Sequence, residues 1–313
     1  KISIKYFSNI AVEYIITTSN TFPTGAGCAS SASGGAALVQ ALRSLLVKVF
    51  TKHPSINKDY SKYLAEVEIV DLSSWARKLS GSASRSVFGG LVEWDTTGVS
   101  RSLYDESYWE ELRVILLVVS DKTKDYSSTN GMMITKETSD FLRYRVKEQV
   151  PQRIKEMKEH LSKKSISDVS LLTMKESNSL HSVCRDSFPP LSYMNETSNF
   201  IVKTVNVLNN TYSKECKKED IICGYTFDAG PNGWIITTKD KVDSIQGFFR
   251  SLMMKDSKIS DFSINKEERV KQFLFKVKEL GFKSLDENLL TKLIEEKTEK
   301  NLVLENTVLF KSG

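Results

Sequence analysis

The sequence predicts an α+β protein, and three observations carry that reading. A run rich in glycine, alanine and serine, "NTFPTGAGCASSASGGAA" (20–37), separates a strand-like segment from a long helical one. Apolar runs of strand length, such as "LRVILLVVS" (112–120), alternate with amphipathic stretches of helical period. Two further strand-like runs, "CGYTF" and "GWIITT", are joined by the turn-forming "DAGPN".

Each element follows from local pattern. A strand is expected over 13–18, feeding the small-residue loop. The helix after it is apolar at Leu38, Leu42, Leu45, Leu46 and Phe50, and should run to about residue 50. A second helix is expected over 64–78. "VFGGLVEW" and "LRVILLVVS" read as strands. Residues 138–164 read as helix, kinked or restarted at Pro151, which has no N–H to give the ladder. Residues 166–186 and 198–210 are further helices, followed by the two strands around "DAGPN". A helix over 241–252, a charged tail with exposed helix faces ("NKEERVKQ", "EEKTEK") and a late strand, "NTVLFK", complete the chain.

Composition narrows the function. The net charge of +5 is the small difference of 44 basic and 39 acidic residues in 313, too mild and dispersed to argue for nucleic acid. It suits a small polyanionic substrate equally well. The run at 114–119 is too short to span a bilayer, and no secretory signal is visible at the start. Cys28, Cys184, Cys216 and Cys223 have neither metal-ligand spacing nor a disulfide framework, so no metal ligands are assigned and a reduced, cytoplasmic location is expected. The sequons at Asn195 and Asn209 are matches expected by chance.

Three stretches can carry chemistry. In the first, small residues before a helix let backbone N–H groups approach a phosphate, with the helix N-terminus adding partial positive charge. The same residues also let a helix pack closely. The run is neither a Walker loop nor a dinucleotide fingerprint, since no lysine follows its last glycine and Ser30 breaks the glycine pattern. In the second, "SGSASRSVFGG" (80–90), Arg85 sits among hydroxyls. It can fork onto a carboxylate or phosphate, or cap helix-end carbonyls. In the third, "GYTFDAGPN" (224–232), Asp228 stands where a strand enters a turn, either a catalytic carboxylate or an Asx-turn. His181 and Cys184 share a predicted helix and read as packing; His53 and His160 read as solvated.

Together, "NTFPTGAGCASSASGGAA", "SGSASRSVFGGLVEW", "MKESNSLHSVCRDSFPPLSYMN" and "YTFDAGPN" occur in the order and setting of mevalonate diphosphate decarboxylase. "SSTNGMMITKETSDFLRYR" and "VPQRIKEMKEHL" also resemble that family, a branch of the galacto-, homoserine, mevalonate and phosphomevalonate kinase superfamily. The likeness runs from about residue 14 to about 238 and weakens in the tail.

The resemblance implies a two-lobed small-molecule-kinase-like fold with a deep cleft between the lobes. An N-terminal phosphate-loop lobe would occupy 1–109, with residues missing upstream, and a C-terminal lobe 110–313. It implies ATP with Mg²⁺, and mevalonate 5-diphosphate as substrate, phosphorylated at its C3 hydroxyl and decarboxylated to isopentenyl diphosphate for isoprenoid and sterol synthesis. It also implies a homodimer with neither nucleic acid nor membrane as partner. Asp228 matches the family's catalytic aspartate, and Arg85 the arginine that holds the substrate carboxylate. Ser80, Ser82 and Ser30 or Ser31 match hydroxyls that line the substrate and phosphates. Gly25, Ala26, Gly27, Cys28, Ala29, Ser30 and Ser31 match the loop that cradles the ATP phosphates.

Some positions depart from the family. Gly25 and Cys28 stand where alanine and leucine are usual, and Leu79 replaces a glycine, which could stiffen the turn at Ser80. The opening segment with its lysine has no full copy; "SIKYFSNIAVEY" shares letters in another order, with Lys5 a possible remnant. A sister kinase that releases no CO2 and a non-catalytic ATP- or isoprenoid-binding homologue are the alternatives.

Overall fold

The computed structural model describes residues 2–3, 13–20, 29–52, 66–95, 97–122, 127–261 and 263–311. They divide between Tyr108 and Trp109 into two compact units.

In the first unit, β1 (Ile2–Ser3) pairs antiparallel with β2 (Glu13–Tyr14), which is shorter than the strand expected over 13–18. Helix α1 (Ser30–Lys52) begins within the small-residue run of the sequence. Its buried face is not the leucine stripe of the sequence pattern. Ala32, Gly35, Ala36 and Val39 are buried, whereas Leu45 is exposed. Small residues serve close packing here. A Cβ added at Gly35 would stand 3.0 Å from Cβ of Ala83, so the helix axis approaches the turn of Gly81–Ser84 more closely than a larger residue permits.

Helix α2 (Ile69–Leu79) begins at a capping box, in which Glu68 N–H donates to the Asp71 carboxylate at 3.2 Å. It starts later than the 64–78 pattern suggested, and the first two of those positions lie outside the described residues. Leu79 is its last helical residue, a backbone in which leucine costs nothing, so the glycine of the family is not needed there. Strands β3 (Leu91–Trp94) and β4 (Ser100–Tyr104) form an antiparallel ribbon with a register shift at Leu91/Val92.

The second unit is built on a four-stranded antiparallel sheet of order β6-β7-β5-β8, formed by β5 (Leu112–Val118), β6 (Gly224–Phe227), β7 (Gly233–Thr238) and β8 (Asn306–Lys311). Ile115 stands opposite Ile235 and Leu309. Ile115, Leu116 and Leu117 are all fully buried, so the continuous apolar run of β5 buries both faces of the sheet. One core joins Ile115 and Leu117 to Phe200, Phe227, Phe248 and Phe249 from the strands and surrounding helices.

Helix α3 (Ser128–Thr138) precedes a long helical stretch made of α4 (Asp140–Tyr144), a π-helical turn (Arg145–Gln149) and α5 (Val150–Ser162). The discontinuity expected at Pro151 is thus a widened turn just before it. A proline near the helix interior removes a donor and crowds the preceding turn, and the π-turn supplies the room. Glu176 ties this stretch to α6 (Ile166–Asp186), accepting from Arg145 at 2.7 Å and from Arg153 at 2.5 Å. Helix α7 (Glu196–Leu208) is capped by Asn195, which accepts from Ser198 N–H at 2.9 Å. Asn209 is fully buried, so both sequon asparagines have structural work.

Helices α8 (Val242–Met253), α9 (Lys266–Glu279) and α10 (Glu287–Glu299) complete the unit. The charged tail is more deeply packed than its composition suggests. Phe273, Val277, Leu293 and Ile294 are core residues, and two cations are buried with them. Arg269 donates to the carbonyl of Ile259 at 3.0 Å, and Lys297 to the hydroxyl of Ser260 at 2.6 Å. His160, expected to be solvated, is half-buried, with Nδ1 shielded and unpaired. His53 lies outside the described residues. No described helix is long and apolar enough to cross a membrane.

Candidate active site

The predicted site residues fall in both units. In the first, Ser31 on the opening turn of α1 approaches Ser80, with the two hydroxyl oxygens 3.3 Å apart. Ser80 is also 3.3 Å from the Ser82 hydroxyl. Three hydroxyls predicted from two separate motifs thus form one cluster at a helix N-terminus, where donors and partial positive charge favour an anion. Ala29, just before the helix, has φ of 53°, and its carbonyl accepts the first helical bonds from Ala32 and Ser33. A left-handed alanine costs roughly 1–2 kcal/mol, a local strain of the kind that gathers at ligand sites. Gly25, Ala26, Gly27 and Cys28 lie outside the described residues. Ser30 opens the helix.

The turn that carries Ser80 and Ser82 is fixed from below. Ser73 donates to the carbonyl of Ser84 at 2.7 Å, and the buried Ser84 hydroxyl donates to the carbonyl of Gly81 at 2.8 Å. Arg85 leaves this turn exposed, with its guanidinium carbon 5.2 Å from the centre of the Trp94 ring. The face of the aromatic ring attracts the guanidinium charge and helps to hold it there. Carboxylate recognition uses the in-plane N–H edge, so the two are compatible.

In the second unit, Asp228 follows directly on β6 and its side chain is exposed. The turn is closed by the main chain: Gly230 N–H donates to the Asp228 carbonyl oxygen at 2.8 Å. An Asx-turn would have engaged the carboxylate instead. Among the described residues that carboxylate has no hydrogen-bond or ion-pair partner, as a group reserved for a ligand would. The rest of the turn is rigid. Ser198 donates to the Pro231 carbonyl at 2.7 Å. The buried Asn232 accepts from Val119 N–H at 2.7 Å and Ser120 N–H at 3.0 Å, and donates to the Ser120 carbonyl at 2.9 Å. "DAGPN" is therefore tied to the end of β5, a role of Asn232 that its place in a turn motif did not announce.

Asp228 lines a cavity of about 650 Å³ together with Lys136, Arg143, Arg145, Tyr193 and Cys184. Of its cations, Arg145 is paired with Glu176 and Arg143 with Asp140, and much of the remaining lining is apolar. Burial, then the neighbouring Cys184 and Asp228, push the Tyr193 phenol up, so it stays a neutral donor. Burial also pushes the Cys184 thiol up, and it lowers the affinity of His181 for a proton. A protonated thiol beside a neutral imidazole is packing chemistry, not a nucleophile pair. Tyr193, Lys136 and Arg145 were not singled out from sequence. Their one signal is membership in the stretches that resemble the family.

A mixed fold with a hydroxyl cluster at a helix N-terminus, and a strand-end carboxylate unengaged among the described residues, fits one class, that of the galacto-, homoserine, mevalonate and phosphomevalonate kinase-like proteins. Residues 3–104 match the diphosphomevalonate decarboxylase-like N-terminal domain, and residues 114–302 the mevalonate 5-diphosphate decarboxylase C-terminal domain. The chain belongs to the mevalonate 5-diphosphate decarboxylase family.

Similarity to individual relatives agrees. The diphosphomevalonate decarboxylase of Candida albicans is 40% identical over 240 residues, covering 74% of this chain and 59% of its own length. The chain thus spans under two thirds of that relative. A crystal structure of mevalonate 5-diphosphate decarboxylase matches 94% of this chain and 68% of its own, with a TM-score of 0.68 and 32% identity. The protein MDDEF, solved in complex with MVAPP, AMPPCP and magnesium, matches 74% of this chain and 64% of its own, with a TM-score of 0.56 and 26% identity.

Proposed function

We propose that the protein carrying this chain uses ATP to convert mevalonate 5-diphosphate to isopentenyl diphosphate, with release of ADP, phosphate and CO2. The observation that carries this reading is the Asp228 carboxylate, exposed at a strand end and without a partner among the described residues, in a chain that matches both domains of the family.

Asp228 orients the C3 hydroxyl of the substrate and takes its proton as the oxygen attacks the γ-phosphoryl group. Arg85 holds the substrate carboxylate in its planar fork, over the Trp94 ring. Ser31, Ser80 and Ser82 donate to phosphate or substrate oxygens, and the residues from Gly25 to Ser30 supply main-chain N–H groups to the nucleotide. In the second step the bond from C3 to the phosphate oxygen breaks. The electron pair of the bond to the carboxyl carbon becomes the new double bond, and CO2 leaves. Positioning and charge stabilisation suffice for such chemistry.

Support for magnesium comes from the similar protein solved with AMPPCP and magnesium; the ion would enter with the nucleotide phosphates. When bound, the ion neutralises phosphate charge. The family resemblance also supports a homodimer in the cytoplasm, open to sedimentation and fractionation experiments. The lobe limits 1–109 and 110–313 belong to the same reading.

The test supplies ATP, Mg²⁺ and carboxyl-labelled mevalonate 5-diphosphate to the purified protein. Equal amounts of ADP and labelled CO2 are expected. ADP without CO2 would make the protein a kinase, and neither product would make it a binding homologue.

A further inference from the structure

Strand β6 lies at an edge of its sheet, so every second residue turns its N–H and C=O away from β7. Phe227, opposite Gly233, is such a residue. Both of its outward groups are met by side chains of α6. Its N–H donates to the Ser177 hydroxyl at 3.1 Å, and its carbonyl oxygen lies 3.3 Å from His181 Nε2. Ser177 and His181 are one helical turn apart, on the face that packs against β6. Between them Asn178 accepts from the Tyr225 hydroxyl at 2.9 Å. The close approach this requires is built in, because a Cβ at Gly224 would stand 2.7 Å from the Cα of Ser170.

A carbonyl can only accept, so Nε2 of His181 carries the hydrogen. Burial lowers the affinity of the ring for a second proton, offset by the Phe227 bond and nearby Asp228, with Arg185 adding to the lowering. The ring is a fixed neutral donor. The carbonyl it holds belongs to the peptide plane that also contains the nitrogen of Asp228. Rotating that plane changes φ of Asp228 and swings the carboxylate. Beyond Asp228 the chain is held again by the Gly230 closure.

We propose that His181 is a positioning residue: its Nε2–H, with the Ser177 hydroxyl, fixes the Phe227–Asp228 peptide and so aims the Asp228 carboxylate at the reacting hydroxyl. This rests on the reading that Asp228 handles that hydroxyl. A misplacement on the order of 1 Å at a reacting group can cost up to about a hundredfold in rate.

The experiment compares wild type, His181→Leu, His181→Gln and Ser177→Ala in the full-length protein. Leucine removes the donor, whereas the glutamine amide can restore it. His181→Leu should lower kcat by roughly ten- to a hundredfold, with KM for both substrates within about threefold of wild type. His181→Gln should recover most of the loss. Unchanged kcat in His181→Leu overturns the proposal, as does a loss that glutamine fails to relieve. Where His181→Leu does not fold, Ser177→Ala makes the same comparison through the Phe227 N–H, and an unchanged kcat there also counts against it.

A second readout is independent of turnover. Nitrogen NMR should find His181 neutral with Nε2 protonated, and the carboxyl carbon resonance of Asp228 should move between wild type and the folded variants. If wild type releases no ADP from mevalonate 5-diphosphate, the functional reading fails. His181 is then judged by the resonance alone, and an Asp228 signal unmoved by loss of the donor overturns its role.

Discussion

The hydroxyl of Ser100 donates to the hydroxyl of Ser84 at 2.8 Å, and both residues are buried. Through this bond β4 grips the turn that carries Ser80, Ser82 and Arg85. The turn is held before any ligand arrives, so Arg85 leaves it from a defined place.

Arg85→Lys should therefore do more harm than a conserved charge suggests. Lysine keeps the charge but loses the planar fork and the guanidinium contact with Trp94. A loss on the order of tens-fold in kcat/KM is expected, a few kcal/mol in barrier. The comparison with Arg85→Gln decides: if lysine restores wild-type rates, Arg85 acts only as a charge.

Asp228→Asn should lower kcat by about two to four orders of magnitude and leave nucleotide affinity near normal. The carboxylate has no bond to lose among the described residues, so melting temperature should hardly move. Equilibrium nucleotide binding, single-turnover rates and thermal melts check the three parts. Retained kcat would remove Asp228 from the mechanism.

Asn232→Ala should strike stability instead. It strips partners from the amides of Val119 and Ser120 and from the Ser120 carbonyl. Leaving such groups unpaired is expected to cost about 3 kcal/mol. Urea titration should show a lower midpoint with an unchanged slope.

Glu176 sets a pH dependence. Burial alone would raise its carboxyl, but the hydrogen bonds and charges of Arg145 and Arg153 outweigh it and hold the carboxyl below the usual carboxylate range. Such a group contributes stability above its unfolded pKa, about 4.3, and that contribution is lost as pH falls through the lower folded value. Acid unfolding of wild type should steepen below that point. Glu176→Gln should be less stable at neutral pH and flatter across the acid limb, as followed by circular dichroism.

Much of this was legible in the sequence because local pattern and local structure coincide. The strand "GWIITT" is β7, and residues 166–186 form α6, since each period matches the surface it buries. The hydroxyls at Ser31, Ser80 and Ser82 were named by resemblance, and the structure brings them together. What escaped was set by distant partners. Nothing near Asn232 in sequence says that it will bond Val119 and Ser120, and nothing near Lys297 says that its helix buries that face. The leucines of α1 announced the helix correctly, and Leu46 packs on the core, but that its closest contact is made by small residues follows from the neighbouring surface alone.

The contact of Gly35 with Ala83 has a mechanical consequence. Helix α1 and the serine turn are separated by the thickness of one hydrogen, so the spacing between Ser31 and Ser80 is gauged by the absence of a methyl group. Enlarging Gly35 would wedge the two apart by a few tenths of an ångström. Such a change leaves every chemically active group intact and widens the gap across which they must act together.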